Sequence, residues 1–157
     1  MPTLPDVNAV LAFLKRIDLC RGLNGQALGE IAFILLPIHA AEDEALIEEG
    51  DSGRAAFILY SGRLQVIKAG EAIGVIEPGE MFGEMSLLDA EPRSATLVPQ
   101  EPSILLRLDP DSFDAMLAAG NAALLRLMLN VLQQQVGRMR HLIDGRSAGP
   151  SPTTAVS

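Results

Sequence analysis

Along the first 35 positions, apolar residues recur at the spacing of a helix. Val7, Val10, Leu11, Leu14 and Ile17 fall on one face of a 3.6-residue repeat, and Leu28, Ile31, Ala32 and Leu35 do so again. The pattern predicts N-terminal helices, ended by Pro37, which cannot supply the N–H a helix interior needs. From about residue 39 to 108 the period changes. Short apolar runs at 45–47, 56–59, 64–67 and 73–76 are each followed by a glycine turn: Glu49-Gly50-Asp51-Ser52-Gly53, Ser61-Gly62, Ala69-Gly70-Glu71 and Pro78-Gly79. Short strands broken so often predict a barrel or sandwich. Helical spacing returns after Asp109, an N-cap residue type followed by Pro110 at the first helical position. Phe113, Met116 and Leu117 form a stripe, Gly120 breaks it, and a long helix is predicted over 121–144. Gly, Ser, Pro and Thr dominate residues 145–157, so the folded domain is expected over 1–144 with a disordered polar tail behind it.

Composition narrows the function classes. The 157 residues are 48% hydrophobic and 20% charged, which suits one globular domain. Aromatics make up 4% with no Trp, so the core must be built from Leu, Ile, Val, Met and Ala. A net charge of -8 argues against a basic face for nucleic acid, and an anionic ligand would have to be held locally, against the global field. Cys20 is the only cysteine, and His39 and His141 are the only histidines. That excludes a disulfide framework and a His/Cys metal cluster, and Cys20 is expected to be a small buried apolar residue. The first six residues lack the basic cluster of a secretory signal, and the longest apolar run, 31–38, is far short of a membrane span. The expected location is the cytoplasm, with no membrane partner.

The densest chemistry lies in Phe82-Gly83-Glu84-Met85-Ser86-Leu87-Leu88-Asp89-Ala90-Glu91-Pro92-Arg93-Ser94-Ala95-Thr96. Gly83 is read as opening a short helical turn over 84–88 inside the strand zone. Free N–H groups at a helix start suit a phosphate, and glycine lets a ligand approach the backbone closely. Pro92 ends the excursion and sets the entry of Arg93, whose planar fork matches two phosphate oxygens at once. Ser94 adds a hydroxyl. Glu84 would repel a phosphate and makes sense on a sugar hydroxyl of the same ligand. Singly, each residue has a blander reading: Glu84 as a helix-start carboxylate, Arg93 as a salt-bridge partner of Glu84 or Glu91, Gly83 as a turn, and Met85 as core packing.

In this register the stretch resembles the phosphate-binding cassette of the cyclic-nucleotide-binding domain family, which includes catabolite-activator-like sensors, regulatory subunits of cyclic-AMP-dependent kinase and nucleotide-gated channels. The match runs through Phe82-Gly83-Glu84, Ser86-Leu87 and Pro92-Arg93-Ser94-Ala95-Thr96. A second match is Leu46-Ile47-Glu48-Glu49-Gly50-Asp51-Ser52-Gly53, ending at Gly62 after Phe57-Ile58-Leu59. The resemblance spans about residues 13–143. It implies an α+β fold: an eight-stranded antiparallel jelly-roll β-barrel flanked by N-terminal helices and a C-terminal hinge and lid helix pair. It implies a nucleotide site made of Phe82, Gly83, Glu84, Met85, Ser86, Arg93, Ser94 and Ala95. Glu84 would meet the ribose 2′-hydroxyl, Arg93 and Ser94 the cyclic phosphate, with backbone N–H groups of 83–86 around them. Val66 and Ile76 are core strand residues expected also to wall the base, and Leu132 and Gln133 of the long helix are matched to purine contacts. The implied ligand is cyclic AMP, with cyclic GMP the alternative, because Ser94 stands where relatives preferring cyclic GMP often carry threonine. No cofactor, metal or catalytic residue is implied, so the chain reads as a receptor and not an enzyme. Ala56 stands where the family usually has a bulky apolar residue, and Pro99 where a small one is usual.

The long C-terminal helix carries one more signal. Leu125, Met128, Leu132, Gln135, Met139 and Leu142 alternate by three and four, the coiled-coil period, widened by Leu129, Val136 and Ile143. Leu124, Leu127 and Val131 form a second stripe. An apolar arc this wide predicts a lid that is also a homodimer surface; the alternative is one broad face packed on its own barrel. The 13-residue tail is too short for a DNA-reading module, so a stand-alone sensor acting through its own surface on an unidentified protein effector is expected. The alternative is a scaffold of the same fold that binds another nucleotide or none.

Overall fold

Side-chain caps start both N-terminal helices. The Asp6 carboxylate accepts from the Ala9 N–H at 2.8 Å and opens α1, Val7–Arg16. The Asn24 side-chain oxygen accepts from the Ala27 N–H at 2.8 Å and opens α2, Gly25–Ile34, after a 3₁₀ turn at Asp18–Cys20. The computed structural model describes residues 2–89 and 92–143; the polar tail expected over 145–157 lies outside them.

Pro37 does not follow a helix directly. Strand β1, Leu35–Ala40, begins where α2 ends and contains it. A strand tolerates proline at a sheet edge, where the missing N–H breaks no ladder bond, and β1 pairs with one neighbour only. The other strands are β2 (Ala56–Ser61), β3 (Leu64–Lys68), β4 (Glu71–Ile76), β5 (Met81–Phe82), β6 (Thr96–Pro99) and β7 (Ser103–Leu108). They form two antiparallel sheets, ordered β1-β7-β2-β5 and β4-β3-β6. The expected eight-stranded closed barrel is thus seven strands in two open sheets. The run at 45–47 yields only an isolated bridge, Ile47 to Leu97, because beyond it the Glu49 N–H donates to the Thr96 side-chain hydroxyl at 2.9 Å and not to a backbone carbonyl, so the ladder stops.

Strands β2 and β7 are buried on both faces, which is why they read as continuous apolar runs. Ala56, Ile58, Leu106 and Leu108 face the helices and join Phe13, Leu14, Ile31, Phe113, Leu124 and Leu127 in one core. Phe57, Leu59 and Leu105 face the second sheet and join Leu64, Val66, Ile76, Phe82, Ala95 and Leu97 in another. Cys20 is buried in the helical core as expected, and burial pushes its thiol up to about 12.

A one-turn helix α3, Met85–Leu88, follows β5. Helix α4, Pro110–Ala118, follows β7 with Asp109 at the N-cap position. Asp109 does not cap it through its side chain, which instead takes the Arg107 Nε at 2.7 Å. Gly120, at φ 66°, turns the chain into α5, Ala122–Ile143, which lies 114° from α4. The Asn121 side chain accepts from the Leu124 N–H and starts it. Leu124, Leu127 and Val131 dock α5 onto the helical core, each fully buried leucine stabilising it by about 1.5–3 kcal/mol. Asn130 fastens the same face by donating to the Leu19 and Arg21 carbonyls at 2.8 and 2.9 Å.

Candidate functional site

The site begins where β5 stops. Phe82 is fully buried between the sheets, and Gly83 follows at φ 75°. A Cβ there would lie 2.7 Å from Arg93 Nη1 and 3.1 Å from the Ala55 carbonyl oxygen, so conformation and crowding both demand glycine. The close approach also gives the small Ala56 a reason: its Cα lies 3.6 Å from the same point. Beyond Gly83 the chain makes the single turn of α3, with Ser86 and Leu87 inward and Met85 and Leu88 outward. Met85 is therefore exposed, not core packing as expected. One turn carries little dipole, so α3 offers individual N–H groups and not the field of a full helix.

Arg93 is held along its whole length. Its N–H donates to the Asp51 carbonyl and its carbonyl accepts from the Gly50 N–H, both at 2.8 Å. The second sequence motif therefore has a physical role, since its Gly50-Asp51 turn anchors the segment that delivers Arg93 and leads into β6. The side chain runs beside Gly53, where an added Cβ would stand 3.3 Å from Nη2. Nη1 then donates to Ser86 Oγ at 2.9 Å and Nη2 to the Ala55 carbonyl at 2.8 Å. Arg93 is 6% exposed, so it is not a solvated surface arginine in an ordinary salt bridge. Burial holds its pKa below the usual guanidinium range, and the nearby charge of Arg107 adds to this, while Glu84 opposes both. An arginine starts so high that it stays charged.

Glu84 is also 6% exposed, and its Oε1 accepts a hydrogen bond from Gln135 Nε2 of α5. Of the residues expected at the site, Gly83, Glu84, Ser86 and Arg93 come together around α3. Ser94 is half-buried on the approach to β6. Phe82, Ala95, Val66 and Ile76 meet in the inter-sheet core beside it. Leu132 and Gln133 are not brought to it: Leu132 is exposed, and Gln133 accepts from Arg21 at 3.1 Å on another side of α5. Sequence reading misses Gln135, although a signal exists. Gln135 extends the buried stripe of Leu127 and Val131 by four residues, and a polar side chain there needs a polar partner. Among the described residues no group of three or more His, Cys, Asp or Glu could hold a metal ion. Among them, too, no single helix is long and apolar enough to cross a membrane.

Comparison with known proteins agrees with this geometry. The family model for the cyclic nucleotide-binding domain matches residues 37–119, which span both sheets, α3 and α4. The chain belongs to the cyclic nucleotide-binding domain family. Two curated relatives are longer than the stretch they share with this chain. The chain is 38% identical over 121 residues to the acetyltransferase Pat of Mycolicibacterium smegmatis, covering 74% of this chain and 36% of that protein. It is 38% identical over 92 residues to a cGMP-dependent protein kinase of Eimeria tenella, covering 58% of this chain and 9% of the kinase. Among solved structures, a cyclic nucleotide-binding domain from Methylobacillus flagellatus superposes with a TM-score of 0.75 at 25% identity, covering 91% of this chain and 85% of that one. The chain thus spans about a third or less of the acetyltransferase and the kinase.

Proposed function

We propose that the chain is a cyclic-nucleotide receptor, selective for cyclic AMP over cyclic GMP, and that it reports occupancy through α5. The observation that carries this is the buried pair beside Gly83: a carboxylate, Glu84, and a guanidinium, Arg93, at one short turn. The two opposite charges suit the two polar ends of one ligand. Arg93, with Ser94 and backbone N–H groups of 83–86, holds the cyclic phosphate, and Glu84 accepts from the ribose 2′-hydroxyl. Phe82, Ala95, Val66 and Ile76 support an apolar wall for the rest. Membership of the family supports a cyclic nucleotide as the ligand class. The choice of cyclic AMP rests on Ser94, whose side chain is shorter by a methyl group than the threonine associated with cyclic GMP.

Gln135 supplies the output. Its amide occupies the Glu84 oxygen that the ribose hydroxyl needs, so ligand binding releases this contact and shifts α5. The exposed face of α5 supports a homodimer. Leu125, Leu129, Leu132 and Val136 are 44–49% exposed and spaced by four, three and four, the coiled-coil period. This seam replaces the one expected from sequence. Met128 packs on the helical core and Gln135 on Glu84, while the side chains of Met139 and Leu142 lie outside the described residues. The receptor is expected to act in the cytoplasm on a protein effector, without a cofactor, enzymatic step or nucleic-acid partner. Competition between cyclic AMP and cyclic GMP for the protein loaded with a fluorescent cyclic AMP analogue tests the selectivity. Displacement by cyclic AMP at about tenfold lower concentration is expected; equal or tighter binding of cyclic GMP overturns it.

A further inference from the structure

A cavity of about 240 Å³ lies beside Arg93 but takes no wall from residues 82–88. Its walls are the 46–55 segment, Arg93, Arg107 near the end of β7, and Pro110 at the start of α4. At about 30 Å³ per water it has room for roughly eight waters, or for a tetrahedral oxyanion with part of its hydration shell. Three arginines line it, Arg54, Arg93 and Arg107, in a chain of net charge -8. The two acids that also line it, Glu48 and Asp51, are exposed.

The arginines are not equally engaged. Arg54 donates to the Leu87 carbonyl at 3.0 Å and lies 3.4 Å from Asp114. Arg93 is committed to Ser86 and Ala55. Arg107 gives its Nε to Asp109, and among the described residues its two Nη groups have no hydrogen-bond partner. In the β2–β7 register Arg107 stands opposite Phe57, whose side chain lies in the inter-sheet core, so Arg107 faces the same side, toward Arg93. Two guanidiniums therefore face one partly enclosed space, and their repulsion is felt at Arg93. An anion between them turns that repulsion into two attractions.

We propose that this cavity is a second oxyanion site, sized for a phosphate group, with the Arg107 fork as its main donor and Arg93 as its inner wall. Its occupancy draws on the same Arg93 charge as the proposed cyclic phosphate, so the two anions weaken each other's binding, reciprocally. Only this coupling rests on the proposed nucleotide site; the oxyanion site itself does not.

The test is titration of the full chain with inorganic phosphate at constant ionic strength, with chloride as the control, read by calorimetry and thermal shift. Saturable binding in the millimolar range is expected. Arg107→Gln weakens it by at least about tenfold, as loss of charge-assisted bonds should, and Arg107→Lys, which keeps the charge but not the fork, by less. Circular dichroism confirms that each variant folds. Phosphate raises the apparent Kd for cyclic AMP by about threefold or more in the wild type and not in Arg107→Gln. The site is overturned if phosphate up to about 20 mM gives no saturable effect beyond chloride, or if both variants bind it as the wild type does. A protein that binds phosphate in this Arg107-dependent way but no cyclic nucleotide would overturn the nucleotide reading and leave the oxyanion site standing.

Discussion

Arg93 is held in place by the protein's own hydrogen bonds. Two backbone bonds to the Gly50-Asp51 turn and two side-chain bonds, to Ser86 and Ala55, hold it. Little side-chain entropy is then left to lose on binding, so the charge-assisted contact to the proposed cyclic phosphate would cost little ordering. Arg93→Ala is therefore expected to weaken cyclic AMP binding by roughly ten- to a hundredfold with the fold retained; unchanged affinity in equilibrium titration would mean that the phosphate lies elsewhere. Gly83→Ala meets both a left-handed backbone and the Arg93 guanidinium. It should lower the Tm by about 3–8 °C in a thermal melt, and a wild-type Tm would contradict the crowding. At this scale the sequence is legible where the chemistry is local. Gly83, Glu84 and Arg93 lie within eleven residues, and glycine before a one-turn helix announces itself. Gln135 and Arg107 are not legible as site residues, because tertiary packing alone brings them from 51 and 14 positions away, to Glu84 and Arg93 respectively.

At the scale of elements, α5 has two faces with different roles. Leu124, Leu127 and Val131 dock it, Asn130 and Gln133 fasten it near Arg21, and Gln135 reaches Glu84. If Gln135 competes with the ribose hydroxyl, Gln135→Ala should tighten cyclic AMP binding by about threefold or more; weaker binding in the same titration would mean that Gln135 instead prepares Glu84 for the ligand. On the opposite face, Leu129→Glu puts a charge into the proposed seam. Light scattering should show a dimer for the wild type and a monomer for the variant, and a wild-type monomer with and without nucleotide would remove the dimer. The element order is largely readable, with exceptions that have physical causes. Strand β5 has two residues, too few for any period, and β1 hides a proline that only an edge position permits. The seam on α5 differs from the one its sequence predicts because the apolar arc is so wide that periodicity alone cannot say which part faces the core.

Across the whole molecule, one sheet divides two cores. Strands β2 and β7 face the helices on one side and the second sheet on the other, and the cassette hangs from β5, at the edge of that same sheet. Leu87 of α3 lies in the same helical core as Leu124, Leu127 and Val131, so a change at α3 acts directly on the packing that seats α5. The layout is legible from the order helix, strands, helix and from the family resemblance, but sheet closure is not. Whether the run at 45–47 becomes a strand depends on which groups some 50 residues away take its N–H bonds, and the Thr96 hydroxyl takes that of Glu49. In the proposed function this layout presents Glu84 and Arg93 to a single cyclic nucleotide. Isothermal titration of the intact chain with cyclic AMP tests it most directly. One site per chain is expected, with a Kd of about 1 μM or tighter, near -8 kcal/mol. No heat and no thermal stabilisation with either cyclic AMP or cyclic GMP at millimolar concentration would contradict it.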